Sequence, residues 1–216
     1  MAQIFVSHSM RDTALVDFFS RIGARSNVRL VFEEIEKLVT GFVNAPKIRR
    51  DIEASSAIFL LLSKHVQLIP HTRDWIMWES GVGHNKDIWV FENYSDHGQI
   101  SVTIPFLRHY VLFQPIDLHF PYLNQVVASY DDSGVLPAMA VAGGVGATFG
   151  GGGALLGALA GAALADPARS RPLGRQITCQ LCMSSYAIHL PQGVATFRCP
   201  VCNRRLQFPT SLSPGV

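Results

Sequence analysis

The sequence predicts an α/β fold in which a five-stranded parallel sheet is covered by helices on both faces. Over residues 1–130, short apolar runs alternate with segments of helical periodicity, as expected for strands joined by crossover helices. The composition, 48% hydrophobic and 16% charged, excludes a disordered chain, which would be polar and charge-rich. A length of 216 residues accommodates such a domain and a smaller module.

The elements follow in chain order. The predicted strands are Ile4–Val6, Val28–Phe32, Ala57–Leu62, Ile88–Phe91 and Tyr110–Phe113. Apolar residues at spacings of three and four predict a first helix that starts near Met10, with Leu15, Phe18, Phe19 and Ile22 on one face. Ile48 and Ile52 predict a second helix in the same way. Five strands with their helices indicate a flavodoxin-like doubly wound sheet, whose ligands bind beyond the carboxyl ends of the strands.

Charge divides the chain into three parts. Residues 1–134 hold 12 basic and 15 acidic side chains, residues 135–165 hold none, and residues 167–216 hold six arginines and no acid. We therefore expect a first domain at residues 1–132, an uncharged segment at 135–165, a linker at 166–175 and a small module at 176–210. Because the N-terminus opens on an apolar strand without the features of a secretory leader, we expect the first domain to be cytoplasmic.

Polar residues gather at the end of the first predicted strand. Ser7, His8 and Ser9 follow its apolar core, and Asp12 comes just before the first predicted helix. Hydroxyls, an imidazole and a helix N-terminus at one place favour the binding of an anion such as a phosphate. Helix capping by Ser or Asp explains the same residues equally well, so both interpretations stay open.

A resemblance to a known family rests on motifs spread over residues 1–130. Phe5-Val6-Ser7-His8-Ser9, then Val31-Phe32-Glu33, and finally Trp75 with Glu79 resemble the Toll/interleukin-1 receptor (TIR) domain. Trp75 and Glu79 are four residues apart, so they share one face if the segment is helical. The Trp-x-x-x-Glu pattern is similar to that of TIR domains that cleave NAD.

The resemblance implies cleavage of the bond between nicotinamide and ribose. It assigns Glu79 as the catalytic carboxylate, Trp75 as the aromatic that shapes the cleft, and Phe32 as the aromatic that stacks on the ligand. We expect Ser7, His8 and Ser9 to contact NAD⁺ as well. Water would then give ADP-ribose and an internal nucleophile a cyclic isomer. The sequence leaves this choice open.

The same resemblance implies a homo-oligomer and a role in prokaryotic immune, antiviral or stress signalling. In such assemblies the loop after strand two docks on a neighbouring copy and completes the cleft. Since many TIR domains only bind one another, a non-catalytic scaffold that recruits partners is the alternative function.

The uncharged segment contains nine glycines and ten alanines in 31 residues. Gly153, Gly157 and Gly161 repeat every four residues, as in the glycine-zipper segments that bring helices into close contact. We expect this segment to cluster the first domains, either in a membrane-associated hairpin or in a helix bundle. A flexible linker is the remaining alternative.

The four cysteines predict a metal site. Cys179-x-x-Cys182 and Cys199-x-x-Cys202 are separated by 16 residues, a spacing that suits two knuckles of a zinc ribbon with one structural Zn²⁺ per chain. Disulfides are the alternative, disfavoured in the cytosol. His189 lies outside both knuckles, and we do not expect it to be a ligand. Arginines make the module basic, but without interleaved aromatic residues we do not expect nucleic acid as a partner.

Overall fold

The computed structural model describes residues 1–34, 45–68, 79, 81–97, 104, 106–116, 119–131, 174–189 and 196–207. Strands within these ranges are β1 Gln3–His8, β2 Arg29–Glu34, β3 Ala57–Leu62, β4 Asp87–Asn93, β5 His109–Phe113, β6 Arg175–Thr178, β7 Ser185–His189, β8 Thr196–Arg198 and β9 Arg205–Gln207. Helices are α1 Thr13–Gly23, α2 Ala45–Ala54, α3 Lys64–Gln67 and α4 Phe120–Ala128, with a 3₁₀ turn at Tyr94–Asp96.

The main sheet is mostly parallel and has the order β2-β1-β3-β4-β5-β7-β6. Its first five strands are all parallel and follow the 2-1-3-4-5 order of flavodoxin-like sheets. These five strands and the helices α1 and α2 confirm the predicted α/β class. The carboxyl ends of β1, β3 and β4 consequently lie side by side at one edge of the sheet.

Each face of the sheet carries its own core. Successive residues of β3 point alternately to the two sides, so Phe59 and Leu61 enter one core and Ile58 and Leu60 the other. The first, here called the aromatic core, is covered by α1 and α4 and contains Phe18, Phe19, Phe59, Phe91 and Phe113. The second, here called the aliphatic core, is covered by α2 and contains Ile48, Ile52, Ile58, Ile88 and Ile104.

The helix α1 buries the four residues whose spacing predicted it: Leu15, Phe18, Phe19 and Ile22. Phe19 meets Phe91 edge to face with ring centroids 5.1 Å apart, and Phe59 lies 4.8 Å from Phe91. Such pairs add about 0.5–1.5 kcal/mol to the burial of their surface. The aromatic core therefore fixes α1 across β3 and β4.

The prediction of a five-stranded sheet was incomplete, because two strands of the cysteine module extend it to seven. Within residues 1–131, β5 pairs with β4 on one side only, and β7 takes the other side in parallel, with His109 opposite Ala187 and Val111 opposite His189. The strand β6 then pairs antiparallel with β7. Every residue of β5 is buried, which suits a strand inside the sheet better than one at its edge.

The uncharged segment 135–165 and Trp75 lie outside the described residues, so the predictions made for them stay predictions. Within the described ranges, no helix combines the length and the apolar character needed to cross a membrane.

Candidate active site and candidate metal centre

Four of the predicted ligand-binding residues lie at the carboxyl ends of β1 and β2. Ser7 and His8 are the last residues of β1, Ser9 follows it, and all three are almost fully buried. The register pairs Ser7 with Glu33 and Val6 with Phe32, so Phe32 lies two residues before the end of β2. The rings of His8 and Phe32 meet edge to face, with centroids 5.9 Å apart.

Hydrogen bonding sets the tautomer of His8. Its Nδ1–H donates to the carbonyl of Ser9 at 2.9 Å, which leaves Nε2 as an acceptor in the neutral ring. Ser7 points to the other face of the sheet, and its Oγ has no hydrogen-bond partner among the described residues. Ser9 accepts from the backbone N–H of Arg11 at 3.2 Å and thereby shapes the turn into α1. His8 Nε2 and Ser7 Oγ thus lie at the same edge of the sheet but on its opposite faces.

Asp12 precedes α1, but its side chain does not cap the helix as the capping interpretation expects. Instead its carboxylate accepts from Ser63 Oγ at 2.6 Å and from His65 Nδ1 at 2.7 Å. Ser63 in turn caps α3 by accepting from the backbone N–H of His65. Asp12 therefore ties the end of β1 to the end of β3, a role that its sequence neighbours do not reveal.

A second acidic cluster, missed by the sequence analysis, lies at the carboxyl end of β4 and in the turn that follows it. Glu92 accepts from His97 Nδ1 and from the Tyr110 hydroxyl, each at 2.7 Å. Asp96 accepts from the backbone N–H of Lys64 at 3.0 Å. Burial, with the neighbouring Glu92 carboxylate, raises the pKa of Tyr110 well above its usual value. Glu92 directly after the apolar run Ile88–Phe91 was the sequence feature that could have identified this cluster.

Glu79 is helical and fully buried. Val82 and Gly83, three and four residues on, face the aliphatic core, and a Cβ at Gly83 would collide with Ile58. Glu79 thus lies against the sheet face opposite to His8 and Phe32, and on the same side as Ser7. The structure brings His8 and Phe32 into contact, whereas Glu79 approaches the sheet from the other face.

The four cysteines form a cluster that could hold a metal ion such as zinc. Their sulfur atoms all lie within 4.8 Å of one another, with Cys179 to Cys202 at 3.8 Å and Cys182 to Cys199 at 3.9 Å. Sulfurs bound at about 2.3 Å to a tetrahedral Zn²⁺ lie about 3.8 Å apart, whereas a disulfide requires about 2.05 Å. The cysteines are free, so the alternative of two disulfides does not describe this structure.

The two knuckles have the same backbone conformation. The N–H of Met183 donates to the Cys179 carbonyl at 2.8 Å, and the N–H of Asn203 donates to the Cys199 carbonyl at 2.7 Å. Met183 and Asn203, each directly after the second cysteine of its pair, both adopt a positive φ, 58° and 60°. Short antiparallel hairpins, β6 with β7 and β8 with β9, hold the two turns in place.

The thiols differ in their environment. Burial opposes ionisation of Cys182, but hydrogen bonds from the side chain and backbone of Ser184 outweigh it and lower the pKa to about 6. Burial raises the pKa of Cys199, and it raises that of Cys202 to about 12. A bound cation would stabilise all four cysteines as thiolates. It would supply the positive charge that this cluster otherwise lacks.

The cysteine module packs directly on the α/β core. Cys179, Cys199, Tyr186 and Phe197 belong to the aliphatic core, and the rings of Phe197 and Tyr110 lie 6.4 Å apart. The N–H of Ile104 donates to the carbonyl of Pro200 at 2.9 Å. On the other face of the sheet, His189 stacks on Tyr122 of α4 at 3.9 Å, and burial lowers its pKa. Sequence reasoning identified the cluster but not this docking.

No family model, curated protein or solved structure matches this chain.

Proposed function

We propose that this chain cleaves the bond between nicotinamide and ribose in NAD⁺, as its resemblance to NAD-cleaving TIR domains implies. The observation that carries the proposal is the contact of His8 with Phe32 at the carboxyl edge of a 2-1-3-4-5 sheet. Ligands of such sheets bind at this edge, next to the point where the strand order reverses. Here that point lies between β1 and β3, directly beside His8 and Asp12.

Each residue has a role suited to its chemistry. The Phe32 ring offers an apolar face for the ligand, and His8 Nε2 accepts a hydrogen bond from it. When the C–N bond breaks, its electron pair leaves with nicotinamide, which departs as a neutral amine and needs no acid. The Glu79 carboxylate stabilises the cationic ribose, with Trp75 enclosing the cleft. Water adds to that cation and loses a proton to give ADP-ribose, or an internal nucleophile gives a cyclic product.

Glu79 must reach the ribose to act, yet it is fully buried and approaches the sheet from the face opposite to His8 and Phe32. We propose that self-association moves Glu79 so that its carboxylate is exposed at the carboxyl edge beside His8 and Phe32, and that turnover therefore requires an assembly of several chains. This also accords with the expectation that the loop after β2 of one copy completes the cleft of the next.

The burial of Glu79 favours a second candidate function, a non-catalytic TIR scaffold. In that case Glu79 only stabilises the packing of its own helical turn on β3. The edge of the sheet at the carboxyl ends of the strands then binds protein rather than NAD⁺. Fold alone does not separate the two functions, because one fold serves many.

We also propose that Cys179, Cys182, Cys199 and Cys202 hold one structural Zn²⁺ per chain. The donor set suits zinc, since four thiolates fill a tetrahedral shell and leave no position for a catalytic water. The ion would join the second hairpin to the first, and so to the main sheet.

The test of the proposed activity is incubation of the purified full chain with NAD⁺ at several protein concentrations, with the products identified by mass spectrometry. Release of nicotinamide together with ADP-ribose or its cyclic isomer would support the enzyme and identify the product. Intact NAD⁺ at every concentration, including those at which the chain is shown to assemble, would support the scaffold instead.

A further inference from the structure

The cysteine module lies at the edge of the sheet opposite to the candidate active site. Since β7 runs parallel to β5, the knuckle that precedes β7 is at the amino edge of the sheet. The second knuckle is at the same place, because its sulfurs lie within 4.8 Å of those of the first. The N–H of Ile104 donates to the carbonyl of Pro200 in the second knuckle. Residues 106–108, which lead from there into β5, therefore lie at the amino edge too.

This amino edge exposes large apolar side chains. Leu181 and Met183 of the first knuckle are 66% and 73% exposed, and Phe106 is 60% exposed. Phe106 also adopts a φ of 60°, a conformation that costs energy for a bulky residue. The Phe106 ring meets the His84 ring edge to face at 6.4 Å yet stays largely exposed, and insertion into an apolar phase would bury it.

Three exposed arginines belong to the same module as the apolar side chains Leu181 and Met183. Arg198, Arg204 and Arg205 are exposed, and among the described residues no carboxylate forms an ion pair with them. Arg198 donates to the carbonyl of Asn203 at 3.3 Å, which holds its guanidinium beside the second knuckle. Residues 167–216 contain no acidic residue, so this positive charge is not compensated within the module.

The described acids near this edge include Asp131, which accepts from Asn27 at 3.1 Å, and two that form ion pairs. Asp87 at the start of β4 accepts from Arg108 at 3.2 Å, and Glu53 at the end of α2 pairs with Arg49 at 2.8 Å. Because residues 167–216 hold no acid, the arginines of the module add positive charge to this edge, and that charge attracts anions.

We propose that this surface, formed by Phe106, Leu181, Met183, Arg198, Arg204 and Arg205, docks on a bilayer that contains anionic lipid. The apolar side chains enter the acyl boundary while the guanidinium groups contact headgroup phosphates, a combination that peripheral membrane proteins use. Nucleic acid fits less well, because aliphatic Leu181 and Met183 would face phosphates, and the aromatic residues Tyr186 and Phe197 of the module are buried.

Docking in this manner leaves the carboxyl edge of the sheet pointing away from the bilayer. The ends of β1, β2 and β3, where His8, Phe32 and the Asp12 network lie, then face the aqueous side. The proposal is independent of NAD cleavage, since it uses only the amino edge and the cysteine cluster.

The experiment is flotation of the zinc-loaded full chain with vesicles of phosphatidylcholine alone and with 30% phosphatidylglycerol added. We expect binding to the anionic vesicles, weakened by salt. Arg204→Gln and Arg205→Gln should each lower the partition coefficient about fivefold. The triple variant Phe106→Asn, Leu181→Gln, Met183→Asn should lower it at least about tenfold, with asparagine suiting the two positive-φ positions.

Matched controls lie at the opposite edge. Leu68→Gln, at a residue 68% exposed, and Arg11→Gln remove the same side-chain types beyond β3 and β1 and should bind like the parent. Equal binding by parent and amino-edge variants would overturn the proposal and place any membrane affinity in another segment. Binding of an oligonucleotide but not of vesicles, lost in the arginine variants, would overturn it in favour of nucleic acid.

Discussion

Phe197→Ala should destabilise the whole α/β domain and not only the cysteine module. Phe197 is 2% exposed, belongs to the aliphatic core and lies 6.4 Å from the Tyr110 ring on β5. Truncation of a buried phenylalanine costs about 3–5 kcal/mol. For a protein of this size that lowers the melting temperature by about 6–20 °C.

Two probes separate the parts of the molecule. All three tryptophans, Trp75, Trp78 and Trp89, precede the module, so their fluorescence reports unfolding of the first domain. Zinc release, followed with a chromogenic chelator in urea, reports the module. We expect the two transitions to coincide in the parent and to shift together in Phe197→Ala, because β7 and Phe197 belong to the same core as β5.

The control is Leu181→Ala, which removes an exposed side chain of the first knuckle and should change stability by less than about 0.5 kcal/mol. An unchanged fluorescence transition in Phe197→Ala, with zinc released at lower urea, would refute the reasoning. It would mean that the module unfolds as an independent unit despite its place in the sheet.

Three further predictions concern other features. Metal analysis should find one zinc per chain, lost in Cys182→Ser but kept in Ser185→Ala; zinc near zero in the parent would contradict the site. Burial and Glu92 raise the pKa of Tyr110, so the folded state holds the phenol proton more tightly than the unfolded state does. This contribution to the free energy of unfolding is present below about pH 10 and is lost at higher pH. Melting temperatures from pH 8 to 11 should therefore fall less steeply in Tyr110→Phe, and an identical slope would contradict this. Nicotinamide release per chain should rise with protein concentration, whereas a constant value would exclude activation by assembly.

Much of the fold could be predicted because local pattern and tertiary environment agree. The run Ala57–Leu62 is apolar at every position and forms a strand buried on both faces, as its pattern indicates. The cysteines were equally informative, because two C-x-x-C pairs at this separation have few structural uses.

Pairings distant in sequence could not be predicted. The addition of β7 to β5 joins residues such as Ala187 and His109, and nothing in either strand specifies that partner. Asp12 looked like a helix cap because its neighbours suit one, but its partner Ser63 is 51 residues away. Glu92 after an apolar run indicates a polar site, but the sequence does not specify its partners His97 and Tyr110.

The most direct test of the central claim is the rate of nicotinamide release by Glu79→Gln compared with the parent and with Glu53→Gln, a control at an exposed glutamate of α2. The amide keeps the shape of the side chain but cannot supply the negative charge, so we expect a loss of at least about 100-fold, with a melting temperature close to that of the parent. The control should retain full activity. Undiminished nicotinamide release by a folded Glu79→Gln protein would contradict the claim that this carboxylate stabilises the ribosyl cation.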